Sequence, residues 1–265
     1  MGQKKKEKRY GMRILALGDV VGKRAVDYLE ERLWGIRRAE KIDFVVVNGE
    51  NANDIRGISQ KDALRLFQAG ADVMTLGNHA FGQRDLYAFL ESDERIIRPA
   101  NFPPQTPGMG YTIADCCGYR MLCINVCGRV NMDAYGDPFD TVEKILAREA
   151  GRYDYAILDI HAEATSEKIA MARVFDGKIH VMFGTHTHVV TADEQILPLG
   201  SGYQTDLGMC GPHDGIIGTR TDCVLERMRN LMPARFEIAD GPITAHGTIF
   251  DLDGSRVTSV RRVKF

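Results

Sequence analysis

The stretch Phe183-Gly184-Thr185-His186-Thr187-His188 decides the fold, because an apolar run ends there in two histidines and the same arrangement recurs upstream. Asp19 follows Ile14-Leu15-Ala16-Leu17-Gly18, and Glu50 and Asn51 come just after Phe44-Val45-Val46-Val47. Asn78 and His79 come just after Val73-Met74-Thr75-Leu76, and His161 follows Ala156-Ile157-Leu158-Asp159-Ile160. Short runs of Val, Ile and Leu, each followed by a helical stretch, read as parallel strands buried on both faces. Such sheets collect their ligands beyond the carboxyl ends of the strands. Runs that end in oxygen or imidazole donors therefore predict a metal site spread across one sheet. Any one Asp, Asn or His at a strand end is more often a turn or cap residue; the joint pattern points to a site.

The spacing agrees. Asp19 to Glu50 is 31 residues and Glu50 to Asn78 is 28, close to the roughly 30 residues of a strand, helix, strand unit. The 83 residues from Asn78 to His161 call for further elements, read here as a strand over 120–126 and a helix over 141–150.

The segments Gly18-Asp19-Val20-Val21-Gly22, Asn48-Gly49-Glu50-Asn51, Gly77-Asn78-His79, His161-Ala162-Glu163-Ala164-Thr165-Ser166-Glu167-Lys168 and Gly184-Thr185-His186-Thr187-His188 resemble the YmdB-type branch of the calcineurin-like metallophosphoesterases. Arg98-Pro99-Ala100-Asn101-Phe102-Pro103 and Asp206-Leu207-Gly208-Met209-Cys210-Gly211-Pro212 match as well, so the resemblance covers nearly everything from Met12 onward. It implies a metallophosphoesterase-type α/β sandwich with a dimetal site at the C-terminal ends of the strands. Two departures from the wider superfamily stand out: its usual Asp-x-His is Asp19-Val20-Val21 here, and its usual bridging Asp is Glu50. Asn51 is the candidate that replaces the missing histidine.

What the resemblance implies about roles follows from the chemistry. Two divalent ions about 3.5 to 4 Å apart can activate a water between them and neutralise charge on phosphate oxygens during in-line displacement. Glu50 would bridge; Asp19, His188 and Asn51 would complete one ion, and Asn78, His161 and His186 the other. In extended backbone, at about 3.3 Å per residue, His186 and His188 would point to the same side roughly 6.6 Å apart and serve neighbouring ions. The oxygen-rich donor set leans toward Fe or Mn, with Zn as the alternative. His79 would be the general acid that protonates the leaving alkoxide or steadies the transferring phosphoryl group. The implied substrates are phosphodiesters, cyclic nucleotides in particular, with 2′,3′-cAMP and 3′,5′-cAMP foremost, and family members tend to self-associate.

Other readings fare worse. A zincin needs His-Glu-x-x-His, which is absent, and a base deaminase needs a Cys-x-x-Cys to accompany His161-Ala162-Glu163, also absent. An amidohydrolase barrel carries its His-x-His on the first strand, whereas here it falls late. A regulatory protein that senses a nucleotide or phosphoprotein with little turnover is the alternative from a different class.

Bulk properties fit a cytoplasmic enzyme. The 265 residues are 44% hydrophobic, ample for one core over 12–265, and no run of about 18 apolar residues or secretory segment occurs. A net charge of −2 gives no general attraction to nucleic acid or membrane surface. The six cysteines have neither zinc-knuckle nor secreted-disulfide spacing, so they read as reduced thiols. The basic stretch Met1-Gly2-Gln3-Lys4-Lys5-Lys6-Glu7-Lys8-Arg9 opens a disordered tail over 1–11; myristoylation at Gly2 is disfavoured by Lys6, where Ser or Thr is wanted.

Toward the C-terminus the pattern becomes antiparallel. Asp240-Gly241 and Asp253-Gly254 read as hairpin turns, and Ala234, Phe236 and Ile238 alternate with Arg235, Glu237 and Ala239 as in a half-buried strand. Arg261, Arg262 and Lys264 read as a solvated strand face. Turn-rich stretches over 98–110 and 208–215 read as loops that could border the site.

Overall fold

The computed structural model describes residues 11–53 and 56–265. Its strands are β1 (Met12–Leu17), β2 (Asp19–Val20), β3 (Phe44–Asn48), β4 (Val73–Thr75), β5 (Ile96–Ile97), β6 (Tyr111–Cys116), β7 (Tyr119–Cys127), β8 (Tyr155–His161), β9 (Val181–Thr185), β10 (Gln195–Ile196), β11 (Gly202–Gln204), β12 (Met209–Pro212), β13 (Ile243–Asp253) and β14 (Arg256–Lys264). The helices are α1 (Lys23–Ala39), α2 (Gln60–Gln68), α3 (Leu86–Ser92), α4 (Pro138–Arg148), α5 (Thr165–Phe175) and α6 (Thr221–Asn230). The basic tail lies outside the described residues, except for Gly11.

Two sheets stack face to face. The first runs β2-β12-β13-β1-β3-β4-β5 with β14 paired to β13; the second runs β10-β11-β9-β8-β7-β6. Strands β1, β3, β4 and β5 are mutually parallel, as are β7, β8, β9 and β11. The continuous apolar runs have a simple cause. Along β1 and β3, Ile14, Ala16, Phe44 and Val46 meet Cys123, Tyr155, Ile157, Val181 and Phe183 between the sheets. The alternate residues Leu15, Leu17, Val45 and Val47 pack outward on Val26 and Leu29 of α1 and Leu66 of α2. The second sheet covers its outer face in the same way: Leu122, Leu158 and Met182 lie against Val142 of α4 and Met171 and Phe175 of α5. A strand with both faces covered has no polar side to display.

Helix starts follow local chemistry. Asp137 accepts hydrogen bonds from the amides of Phe139 and Asp140 with Pro138 in the first turn, and Ser59 Oγ accepts from Asp62 N at 3.1 Å. The helix expected over 141–150 therefore begins at Pro138 and ends at Arg148.

Three expectations change. The donor-bearing strands are divided between two sheets, since β1, β3 and β4 lie in one and β8 and β9 in the other. Part of 208–215 is strand β12, paired with β2 and β13. Residues 234–239 form no strand beyond one bridge from Thr219 to Ile238, and Asp240-Gly241 turns the chain without joining two strands. The 98–110 stretch is largely loop, as expected; Asn101 Nδ2 donates to the carbonyls of Cys127 and Gly136, and Phe102 stacks on Tyr135. The Asp253-Gly254 hairpin joins β13 to β14 as expected, and Arg261 and Arg262 on β14 pair with Glu40 and Glu194 at the surface.

Candidate metal centre

The sandwich brings the carboxyl ends of both parallel sets to one edge. Asp19 opens β2 directly after β1; Glu50 and Asn51 follow β3, and Asn78 and His79 follow β4. His161 ends β8, and His186 and His188 follow β9. All eight residues meet there.

The contacts form two groups that share Glu50. On one side, His161 Nε2 lies 2.9 Å from Asn78 Oδ1, 3.1 Å from His186 Nδ1 and 3.2 Å from Glu50 Oε1. On the other, Asn51 Nδ2 lies 3.0 Å from Glu50 Oε1 and 3.2 Å from His188 Nε2, while His188 Nε2 lies 3.9 Å from Asp19 Oδ1. Glu50 Oε2 accepts the amide of His79 at 3.1 Å, and His79 Nδ1 lies 2.8 Å from Asn51 Oδ1. Asp19, Glu50 and His161 are fully or almost fully buried.

Hydrogen bonds behind the histidines set which ring nitrogen faces inward. Thr185 Oγ1 donates to Asp159 at 2.7 Å, so it accepts from His161 Nδ1–H at 2.9 Å and leaves the Nε2 lone pair toward the centre. His188 Nδ1–H donates to the Ile217 carbonyl at 2.9 Å and frees Nε2 in the same way. Three lone-pair-bearing atoms therefore converge on His161 Nε2, and the buried Asp19 Oδ1 has no hydrogen-bond partner. Each of these features is costly unless a cation or proton stands among them.

The electrostatics state the same demand. Burial pushes the Asp19 carboxyl up to about 6 against the pull of His188 and His161. Burial also works against the Glu50 anion, but His161 and His79 outweigh it and hold Glu50 well below the usual carboxylate range. Burial disfavours charge on His161, yet Glu50 and Asp19 reverse that and raise it to about 9. His186, buried and beside His161, is lowered to about 3 and stays neutral. The two carboxylates hold positive charge at their centre.

Local backbone makes room for this packing. Gly77 carries no side chain where a Cβ would collide with Glu50 Oε2 and His161 Nε2. The His-x-His segment is not extended, as the sequence suggests; His186 and His188 have φ of 96° and 63°. This left-handed backbone, uncommon outside glycine, turns the two rings toward different partners.

Sequence reasoning left several supporting residues unassigned. Glu163 Oε2 lies 3.2 Å from His186 Nε2, on the face away from His161. Asp159 accepts from Asn48, Thr75 and Thr185 in the floor, and Lys168 pairs with Asp206 beneath Thr187. For Asp159 and Lys168 the signal was a charged residue inside an otherwise apolar run or helix face; Glu163 and Asp206 lie in connecting segments and carried no such signal. The centre opens into a cleft of about 380 Å³ lined on one side by Glu50, Asn51, His79, Glu163, His186 and His188.

The family described as YmdB-like protein matches residues 15–263. The chain belongs to the YmdB-like family. It is 40% identical over 250 residues to a 2′,3′-cyclic-nucleotide 2′-phosphodiesterase of Bacillus subtilis (strain 168), covering 94% of this chain and 95% of that one. A crystal structure of a hypothetical protein from Thermus thermophilus superposes with a TM-score of 0.91 at 38% identity, covering 96% of this chain and 99% of the other. That of a novel phosphatase from Mycoplasma pneumoniae gives a TM-score of 0.91 at 29% identity, covering 96% and 93%. Membership makes the chain a hydrolase of metallophosphoesterase architecture. Among the described residues, no helix is long and apolar enough to cross a membrane.

Proposed function

We propose that this chain hydrolyses phosphodiester bonds at a centre of two divalent cations, and that 2′,3′-cyclic nucleotides are its first substrates, with 3′,5′-cAMP second. The observation that carries the reading is the convergence of Asn78, Glu50 and His186 on His161 Nε2, beside the partnerless Asp19 Oδ1. That donor set fits cations. Asn78, His161 and His186 would hold one, Asp19, Asn51 and His188 the other, and Glu50 would touch both. When bound, such ions supply Lewis acidity toward phosphoryl oxygens and lower the pKa of water. Oxygen donors from Asp19, Glu50, Asn51 and Asn78 favour Fe or Mn over Zn.

The chain's own residues supply the rest. Thr185 and the Ile217 carbonyl hold His161 and His188 with Nε2 forward. Asn51 points its amide nitrogen at Glu50 and His188 and its oxygen at His79. Ligation through Oδ1 takes the half-turned carboxamide, which then donates to His79 Nδ1. The proton of His79 is thereby placed on Nε2, where the neutral ring would donate a hydrogen bond to an oxygen of the transferring phosphoryl group and steady the charge that develops there. The relative from Bacillus subtilis supports the choice of substrate by its name. Six free thiols, four of them buried, support a reducing, cytoplasmic setting.

The test is multiple-turnover hydrolysis of 2′,3′-cAMP by Mn²⁺-loaded protein, with metal content measured alongside and an N78A/H161A double variant as control. Turnover in the parent that vanishes with the bound metal in the variant is the expected result. A metal-replete parent that turns over neither cyclic nucleotide would direct the reading to another phosphoester or to a binding-only regulator.

A further inference from the structure

Opposite the donors, the cleft changes character. That wall is apolar and comes from Ile216, Ile217, Val224, Met228, Phe236 and Ile238, all within the chain between β12 and β13. The excursion is tied at its base. Thr219 bridges to both Ile216 and Ile238, Arg220 N donates to the Glu237 carbonyl at 2.9 Å, and Ala239 N donates to the Gly218 carbonyl at 2.9 Å. A 2.9 Å ion pair between Arg220 and Glu237 closes the same neck. Val224 and Met228, four apart on α6, share one helix face.

The wall is also joined to the donors. Ile217, at φ 47°, occupies the left-handed backbone that β-branched residues avoid, and its carbonyl is the acceptor that orients His188. Strain of this kind persists where surrounding structure imposes it. Here the segment that presents the apolar wall also sets a histidine of the centre.

Much of that wall faces solvent: Met228 is 70% exposed, Ile217 50% and Phe236 37%. Clustered apolar side chains at the rim of a polar, charged floor mark a place for a ligand with one anionic end and one flat, apolar end. A phosphodiester engaged by the floor leaves its remaining groups against this wall. For a cyclic nucleotide those groups are a ribose and a planar base. A base has a π-face that stacks on an aromatic ring whatever its sequence identity, and Met is a flexible, polarisable flank that adapts to different rings.

We propose that this wall is a nucleobase subsite, with Phe236 as the stacking face and Met228 as its adaptable edge, so that the chain selects cyclic nucleotides over base-free phosphodiesters. The inference rests on the phosphodiesterase reading above. The alternation at 234–239 acquires a reason: Phe236 and Ile238 face the cleft, while Glu237 faces Arg220 at the neck.

The experiment compares parent, F236A and F236Y on 2′,3′-cAMP and on 1-O-methylribose 2′,3′-cyclic phosphate, which lacks the base. The ratio of kcat/KM for the nucleotide to that for the base-free ester is expected to fall about tenfold in F236A, through KM, and to stay within about twofold in F236Y. Calorimetric binding of adenosine 3′-monophosphate against ribose 3-phosphate needs no turnover; the parent's preference for the nucleotide should vanish in F236A. Equal losses on both esters, or no nucleotide preference in the parent's binding, would overturn the subsite while leaving the hydrolysis of either ester to stand. A parent that binds the nucleotide in preference but hydrolyses neither ester would keep the subsite and overturn the phosphodiesterase reading.

Discussion

Lys168 Nζ lies 2.7 Å from Asp206 Oδ2, and neither side chain reaches solvent. The same carboxylate oxygen accepts from Thr187 N at 3.2 Å and Thr187 Oγ1 at 2.8 Å, and its partner oxygen accepts from Gly208 N at 2.8 Å. One buried ion pair thus pins the turn between His186 and His188 to α5 and to the segment that joins β11 to β12. Removing one member leaves a buried charge uncompensated, at a cost of about 3–5 kcal/mol. K168M should therefore lower stability by that amount in urea unfolding and reduce bound metal. K168M/D206L should recover a large part of the stability but not the metal. Additive losses in the double variant would show that the two residues are not coupled.

Gly77 sits where a side chain has no room between Glu50 and His161. One added methyl must push one of them aside, and overpacking of this kind costs roughly 1–3 kcal/mol. G77A is expected to keep the far-UV circular dichroism of the parent and to lose most bound Mn²⁺. A variant with parental metal content and turnover would show that the floor yields more easily than its packing implies.

His79 contacts Asn51 and Glu50 but stands outside the group of atoms around His161 Nε2. Its loss should spare the metals. H79A is expected to keep parental metal content by elemental analysis while kcat on 2′,3′-cAMP falls about a hundredfold or more, the usual scale for losing a donor aimed at developing charge. If metal and activity fell together, His79 would belong with the ligands.

Away from the site, His246 on β13 packs its ring 4.7 Å from that of His213 and faces Lys264 on β14. Burial first, then His213 and Lys264, lower its pKa from 6.5 to about 4. The folded state thus resists a proton that the unfolded chain accepts. Stability from this group is present above pH 6.5 and is lost as pH falls from there toward 4. The loss should be roughly 1–2 kcal/mol after discounting for solvent screening. The urea midpoint of H246Q should fall less steeply than the parent's between about pH 6.5 and about pH 4.5; parallel curves would place the acid sensitivity elsewhere.

The order and identity of the donors were legible because each follows an apolar run, and a strand buried on both faces must put its polar chemistry at its ends. Local signals were legible for a similar reason. The Asp137-Pro138 helix start and the Asp253-Gly254 hairpin satisfy their own backbone within a few residues.

Tertiary structure alone decided what depends on partners distant in the chain. A run such as Phe44-Val45-Val46-Val47 says that both faces are covered, not by what. Only the stacking of two sheets showed that Asp19, Glu50 and Asn78 approach His161 and His186 from the opposite layer. The alternation at 234–239 reads as strand because hydrophobicity cannot tell a core from the wall of a cleft, and here no neighbouring strand offers a ladder. The Lys168–Asp206 pair, the Glu163–His186 contact and the Ile217 carbonyl on His188 were invisible for the same reason. Charge and hydrogen-bonding capacity are properties of a residue, but which group satisfies them is fixed by sheet register and by the turn that φ of 96° and 63° imposes on His186 and His188.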